Sequence, residues 1–177
     1  MALLDILVAP HPMLSARARP VEAAEFGPQL AKLTSDMAET MYAAPGVGLA
    51  GPQVGDGRRI IVLDPSERKE RGRRLFQMAN PEIAAREVGT ISWNETCLSV
   101  PEIAVDIVRT RKVLVRWQHP EDGSAREGWF EDYEAVIVQH ELDHLEGTVL
   151  LDRVSFFKRS RYLRRIRARR TEQELTV

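Results

Sequence analysis

Apolar positions along this 177-residue chain change period twice, and the changes divide it into an early helix, a central series of strands and two late helices. Gly27 and Pro28 make a favourable helix start, since Pro tolerates the first helical position. Leu30, Leu33, Met37 and Met41 then recur three and four residues apart, which predicts one amphipathic helix ending near Ala43. Upstream, residues 3–8 read as a short strand, and Pro10 and Pro12 punctuate a turn that ends near Pro20. Downstream, the run PGVGLAGPQVGDG holds too much Gly and Pro for regular structure and predicts a loop of unusual apolarity. Six segments of strand length follow between turn residues, at 59–63, 74–79, 87–93, 103–108, 111–117 and 126–130. Residues 133–146 then read as a helix whose Ala135-Val136-Ile137-Val138 stretch is apolar all round and so buried on several sides. A last helix from about 156 to 171 carries Phe156, Leu163 and Ile166 on one stripe.

This order predicts an α+β fold, with mostly antiparallel sheets around the helix at 133–146 and a C-terminal helix. There is no internal repeat or low-complexity linker, so residues 1–177 are expected to form one domain, including that last helix from about 156. One Cys, Cys97, cannot make an internal disulfide, which excludes a stapled secreted scaffold and leaves metal binding, nucleophilic chemistry or burial as its roles. The longest uncharged run, 40–55, is shorter than a membrane span needs and contains four Gly and two Pro. Asp5 stands where a signal peptide would carry a positive charge. The expectation is a cytoplasmic monomer that meets no membrane. The net charge of −1 hides a split: residues 1–154 hold 17 basic and 24 acidic side chains, whereas 155–177 hold 8 basic and 2 acidic ones.

Candidate chemistry begins at His140-Glu141-Leu142-Asp143-His144. Imidazoles four residues apart on a helix lie on one face and can reach one ion, with Glu141 beside them to work on a water. The segment follows a buried apolar turn, where imidazoles without a partner would be costly. The third ligand separates enzyme classes. A metzincin needs a His six residues after the second, where this chain has Leu150, and a downstream carboxylate is poorly supplied, since after Glu146 the choice narrows to Glu172 and Glu174. Cys97, within Glu95-Thr96-Cys97-Leu98-Ser99, remains the strong candidate. A Cys-His-His set leaves one exchangeable position on a four-coordinate ion, which hydrolysis requires.

Three segments, GVGLAGPQ (46–53), ETCLS (95–99) and QHELDH (139–144), resemble in order and spacing the three signature motifs of peptide deformylases, and ILVAPHPML and ARPV resemble that family's opening. The resemblance implies Cys97, His140 and His144 as ligands of one divalent metal, Fe²⁺ in the cell, with Zn²⁺, Ni²⁺ or Co²⁺ as replacements. It implies hydrolysis of the N-terminal formyl group of formyl-methionyl nascent peptides, releasing formate. Glu141 would take a proton from water and deliver it to the departing amine. The Gln53 side-chain amide and the Leu98 backbone N–H would stabilise the oxyanion. Gly46, Val47 and Gly48 would pair with the substrate backbone, and Val47 and Val136 would line the methionine pocket.

Several positions depart from the family pattern. Thr96 and Asp132 stand where Gly is common, Gly51 where a second Ala follows Leu, Ala104 where many bacterial members have Arg, and Trp93 and Tyr133 where pocket-lining residues are usually aliphatic. These changes imply a divergent member with a reshaped pocket, acting on formyl-Met peptides or other formylated amines. A ribosome-associated binding module with little catalysis is a further reading. The cations Lys158, Arg159, Arg161, Arg164, Arg165, Arg167, Arg169 and Arg170 form a run of one sign with no acidic residue among them and point to ribosomal RNA as the partner of the last helix.

Overall fold

The computed structural model describes residues 2–174, with the side chains of Arg68 and of residues beyond Ile166 excepted. Its core starts from strands that have no polar face. Residues Ile60–Leu63 form a strand buried at every position, and such a strand is stable only in a sheet covered on both sides. In chain order the strands are β1 (Gly48–Ala50), β2 (Ile60–Leu63), β3 (Phe76–Arg86), β4 (Thr90–Cys97), β5 (Val100–Thr110), β6 (Lys112–Gln118) and β7 (Ala125–Glu131). Five of them make an antiparallel sheet in the order β1-β2-β3-β6-β7. One face, through Ile61, Leu63, Met78, Val115 and Phe130, packs on Ala135, Ile137, Val138 and Leu145 of helix α2 (Tyr133–Leu145). On the other face Ile60, Val62 and Leu49 meet Leu30, Met37 and Met41 of helix α1 (Pro28–Ala43).

β4 and β5 form a separate two-stranded sheet. Its register shifts at the end that matters: Thr96 faces Ala104, but Cys97 faces Val100, so residues 101–103 bulge out and Glu102 takes φ +65°. A bulge bends its strand and re-aims the side chains beside it. Here Cys97 joins a second apolar cluster with Val100, Ile107, Val149, Leu150 and Leu151, to which helix α3 (Phe156–Glu174) contributes Tyr162 and Ile166.

The α+β class, the antiparallel pairing and the span of α1 agree with expectation. Residues 3–8 form no strand: Leu7 N donates to Gln53 O at 2.8 Å and Ala9 N to Ser99 O at 2.9 Å, so the segment stitches two loops together instead of joining a ladder. The Gly- and Pro-rich run is not all loop, since it contains β1 and a 3₁₀ turn at Gly51–Val54. β3, β4 and β5 run beyond the apolar stretches that mark them, because backbone pairing continues through residues that break the apolar pattern, such as Arg86, Asn94, Thr96 and Thr110. On α3, Phe156 is exposed and Tyr162 takes the buried place expected of it. Nor do the α3 cations all lack carboxylates: Arg159 pairs with Asp152 at 2.8 Å and Arg165 with Glu102 at 3.0 Å. Arg167, Arg169, Arg170, Glu172 and Glu174 lie outside the described side chains.

Gly51 has a steric reason. A Cβ there would stand 2.9 Å from the carbonyl oxygens of Asp56 and Arg58 and 2.9 Å from Ile60 Cγ1. Gly51→Ala, although it restores the more usual motif residue, should therefore destabilise the protein by about 1–3 kcal/mol through overpacking. Urea unfolding checks this: the midpoint falls with the slope unchanged, and an unmoved midpoint would mean that the turn yields freely.

Candidate metal centre

α2 carries His140 and His144 one turn apart, with ring centroids 5.0 Å from each other, and Cys97, the last residue of β4, comes up to them opposite the bulge in β5. Cys97 Sγ lies 3.2 Å from His144 Nε2, and one ligand atom from each of the three residues falls within 4.8 Å of the others. A thiol and two imidazoles so close, with Cys97 and His144 buried, suit a borderline-soft divalent cation. Burial opposes a charge on His140, yet Cys97, Glu95 and Glu141 outweigh it and lift its pKa to about 10. Burial and the neighbouring His140 push His144 the other way, well below the usual imidazole value. Cation binding must displace the proton that His140 holds, so affinity falls as pH falls.

The ligands are held from behind by ion pairs. His140 Nδ1 lies 2.7 Å from Glu95 Oε2, which leaves Nε2 for the cation. Arg109 donates from Nε and one Nη to the two oxygens of Glu95, at 2.7 and 2.9 Å, and from its other Nη to Asp143 Oδ2 at 2.7 Å. Arg153 reaches the same Asp143 oxygen at 2.8 Å. Burial raises the pKa of Glu95, but Arg109 and His140 overcome it and keep the carboxyl below its usual value.

Glu141, next to the first ligand, is 4% exposed, and its Oε2 has no hydrogen-bond partner. Burial lifts its pKa to about 7, the range in which a carboxyl both takes and returns a proton near neutrality. Its carboxylate fills the space that a Cβ on Gly48 would need, which explains the Gly there. Gln53, 2% exposed, accepts from Ala50 N at 2.8 Å through Oε1; this aims Nε2 at Ser99 Oγ, 3.1 Å away, and Cys97 Sγ, 3.7 Å away.

A cleft of about 370 Å³ opens over this centre. Gly46, Val47, Gly48, Gln53, Trp93, Leu98, Tyr133 and Val136 line it together with Cys97, His140 and Glu141, so the structure brings together the residues singled out in the sequence; His144 is buried beneath and does not line it. β1 is an edge strand whose pairing with β2 occupies one side, and an extended peptide can add to the other. Trp93 of β4 and Tyr133, the first residue of α2, stack with centroids 4.9 Å apart and planes tilted by 32°. Asp132, just before Tyr133, has φ +52°, a conformation that favours the Gly expected there, and an ion pair to Arg111 at 2.6 Å holds it.

The supporting groups carry less signal in the sequence than the ligands do. Glu95 was in plain view, since a carboxylate near a ligand set is the usual partner of a coordinating imidazole. Arg109, Asp143 and Arg153 meet across three elements and carry no local signal. The same holds for Arg71, which lies over the Tyr42 ring and donates to the carbonyls of Tyr42 at 2.9 Å and Gly46 at 3.3 Å, securing the loop at the cleft edge.

Comparison with known proteins gives one answer. The sequence profile of the polypeptide deformylase family matches residues 3–160. A peptide deformylase of Desulfotalea psychrophila is 41% identical over 167 residues, covering 94% of this chain and 96% of its own. Among solved structures, peptide deformylases of Legionella pneumophila (TM-score 0.85, 35% identity, 98% of each chain) and Ehrlichia chaffeensis (TM-score 0.86, 31% identity, 97% of this chain and 99% of that one) share the fold.

Proposed function

Because the chain belongs to the peptide deformylase family, hydrolases that remove the formyl group from nascent peptides, we propose that its reaction runs in the cleft over Cys97, His140 and His144, with these three residues holding one divalent cation. The observation that carries this reading is the convergence of the three donors within 4.8 Å beside a buried carboxyl, Glu141, that has an oxygen to spare. A cation held there supplies Lewis-acid chemistry and makes water more acidic. Glu141 takes the proton from the attacking water and passes it to the departing amine. Gln53 Nε2, already fixed in direction by Ala50 N, and the Leu98 backbone N–H stabilise the oxyanion; each such donor is worth about 2.7–4 kcal/mol in comparable sites. Gly46, Val47 and Gly48 pair with the peptide backbone along the β1 edge, and Val47, Val136, Trp93 and Tyr133 surround the first side chain. Glu95 and Arg109 fix the His140 ring.

The native ion in this reading is Fe²⁺, with Zn²⁺, Ni²⁺ or Co²⁺ able to take its place, since the ligand set accepts them all. Anaerobic metal analysis coupled to formate release tests it: protein loaded with Fe²⁺ hydrolyses formyl-Met peptides, and Cys97→Ser loses both metal and turnover. No formate from formylated Met, Leu or Ala peptides or from non-peptidic formylated amines would sink the assignment and leave only a binding module.

We place the protein in the cytoplasm as a monomer, with ribosomal RNA as the partner of α3. Among the described residues no helix is long and apolar enough to cross a membrane. Lys158, Arg161 and Arg164 are exposed on α3, whereas Tyr162 and Ile166 are buried, so charge reversal of those three cations is a cleaner test than truncation. Salt-sensitive ribosome binding should fall while small-peptide hydrolysis persists.

A further inference from the structure

The Trp93–Tyr133 stack joins the two-stranded sheet to the start of α2 at the cleft. Trp93 comes from the two-stranded sheet, where it faces Ile107, and Tyr133 begins the helix that carries the imidazoles. Stacking at 4.9 Å with a 32° tilt covers one face of each ring. A ligand in the cleft therefore meets ring edges and outer faces, with Val47, Val136 and Ile137 also among the lining residues. Ring edges carry the positive side of the aromatic quadrupole. A thioether sulfur brings lone pairs and polarisability to such an edge, and a methylene of nearly the same size brings neither. Aliphatic residues at positions 93 and 133 would give sulfur and methylene nearly equal reception.

We propose that the Trp93–Tyr133 stack determines specificity by recognising the thioether of the substrate's first side chain, so that this chain distinguishes methionine from its isostere norleucine. The inference rests on the proposed reaction but has its own measurement.

The test compares formyl-Met and formyl-norleucine peptides of otherwise identical sequence with the metal-loaded protein. A preference for Met in kcat/KM of about 2- to 10-fold is expected, the range that sulfur–aromatic contacts support. Trp93→Ile and Tyr133→Leu should each bring the ratio towards one by lowering the Met value towards that of norleucine. Trp93→Phe, which keeps an aromatic edge, should retain part of the preference. A ratio near one in the unaltered protein, or a preference that survives both aliphatic variants, overturns the proposal.

A second measurement separates this outcome from failure of the reaction. Product peptides beginning with Met or norleucine are titrated into the loaded protein while tryptophan fluorescence is followed, and the titration is repeated with Tyr133→Leu, which breaks the stack but keeps Trp93 as the reporter. Tighter binding of the Met peptide, lost in Tyr133→Leu, supports the stack's role even if no formate is released. Equal affinities overturn it whatever the turnover.

Discussion

Glu141→Gln should lower kcat/KM for formyl-Met peptides by about 10²- to 10⁴-fold, the usual contribution of a positioned general base, while leaving the metal content intact. The amide keeps the shape of the carboxyl, so neither Gly48 nor the neighbouring imidazole needs to move, but it cannot accept the proton. The same substitution has an opposite effect on stability. Burial holds Glu141 protonated up to about pH 7, whereas in the unfolded chain it ionises near its ordinary value of 4.5. Between those values the native state binds more protons than the unfolded state, so in protein stripped of metal this group makes stability fall as pH rises through that window. Glu141→Gln removes this dependence, and the stripped variant should be the more stable protein above pH 7 and close to the unaltered one below pH 4.5. Urea midpoints across that range check the sign. Loss of activity together with loss of metal would instead mean that Glu141 maintains the ligand set.

Arg109→Met carries the largest expected cost in stability, about 3–5 kcal/mol. Arg109 is 7% exposed and neutralises Glu95, which is 4% exposed, while holding Asp143. Removing the guanidinium leaves a buried carboxylate with His140 as its remaining partner, and a buried charge stripped of a partner loses more than the pair contributed. Asp143 suffers less, because Arg153 still reaches it from the surface. Metal affinity should drop about 10- to 100-fold, since Glu95 then orients the His140 ring less firmly. The double variant Glu95→Gln, Arg109→Met should recover part of the stability by removing the stranded charge. A loss below about 1 kcal/mol in the single variant would show that water reaches Glu95 and replaces the guanidinium.

Glu141 and Arg109 differ in how plainly the sequence marks them. Glu141 could be read directly, because a carboxylate next to the first of two imidazoles at helical spacing has few other uses in a buried turn. Arg109 could not: it is one of several cations in a stretch of strand, and nothing near it in sequence distinguishes it from exposed Arg111 two residues on. Residues 3–8 form no strand for a related reason. Their apolar run has the composition of a strand, but the carbonyls that Leu7 and Ala9 meet, those of Gln53 and Ser99, lie far off in the chain. The eleven-residue β5 extends past its apolar stretch at 103–108 because backbone pairing with β4 continues to Thr110 at one end and resumes at Val100 at the other.

Local periodicity and spacing determined what one element can decide alone: α1 and its apolar stripe, a buried helix bearing His140, Glu141 and His144 on reachable faces, and a lone Cys97 available to complete the set. These follow from the 3.6-residue turn and from the cost of burying imidazoles without a partner. Tertiary structure alone decided the remainder. The β4–β5 hairpin holds Cys97 within 3.2 Å of His144 on α2, Arg109 joins Glu95 to Asp143, and Trp93 finds Tyr133 across the cleft. Each is a contact between elements distant in sequence. Its energy depends on distance, burial and the partner's charge, and those exist only once the sheet, the hairpin and the helix have packed.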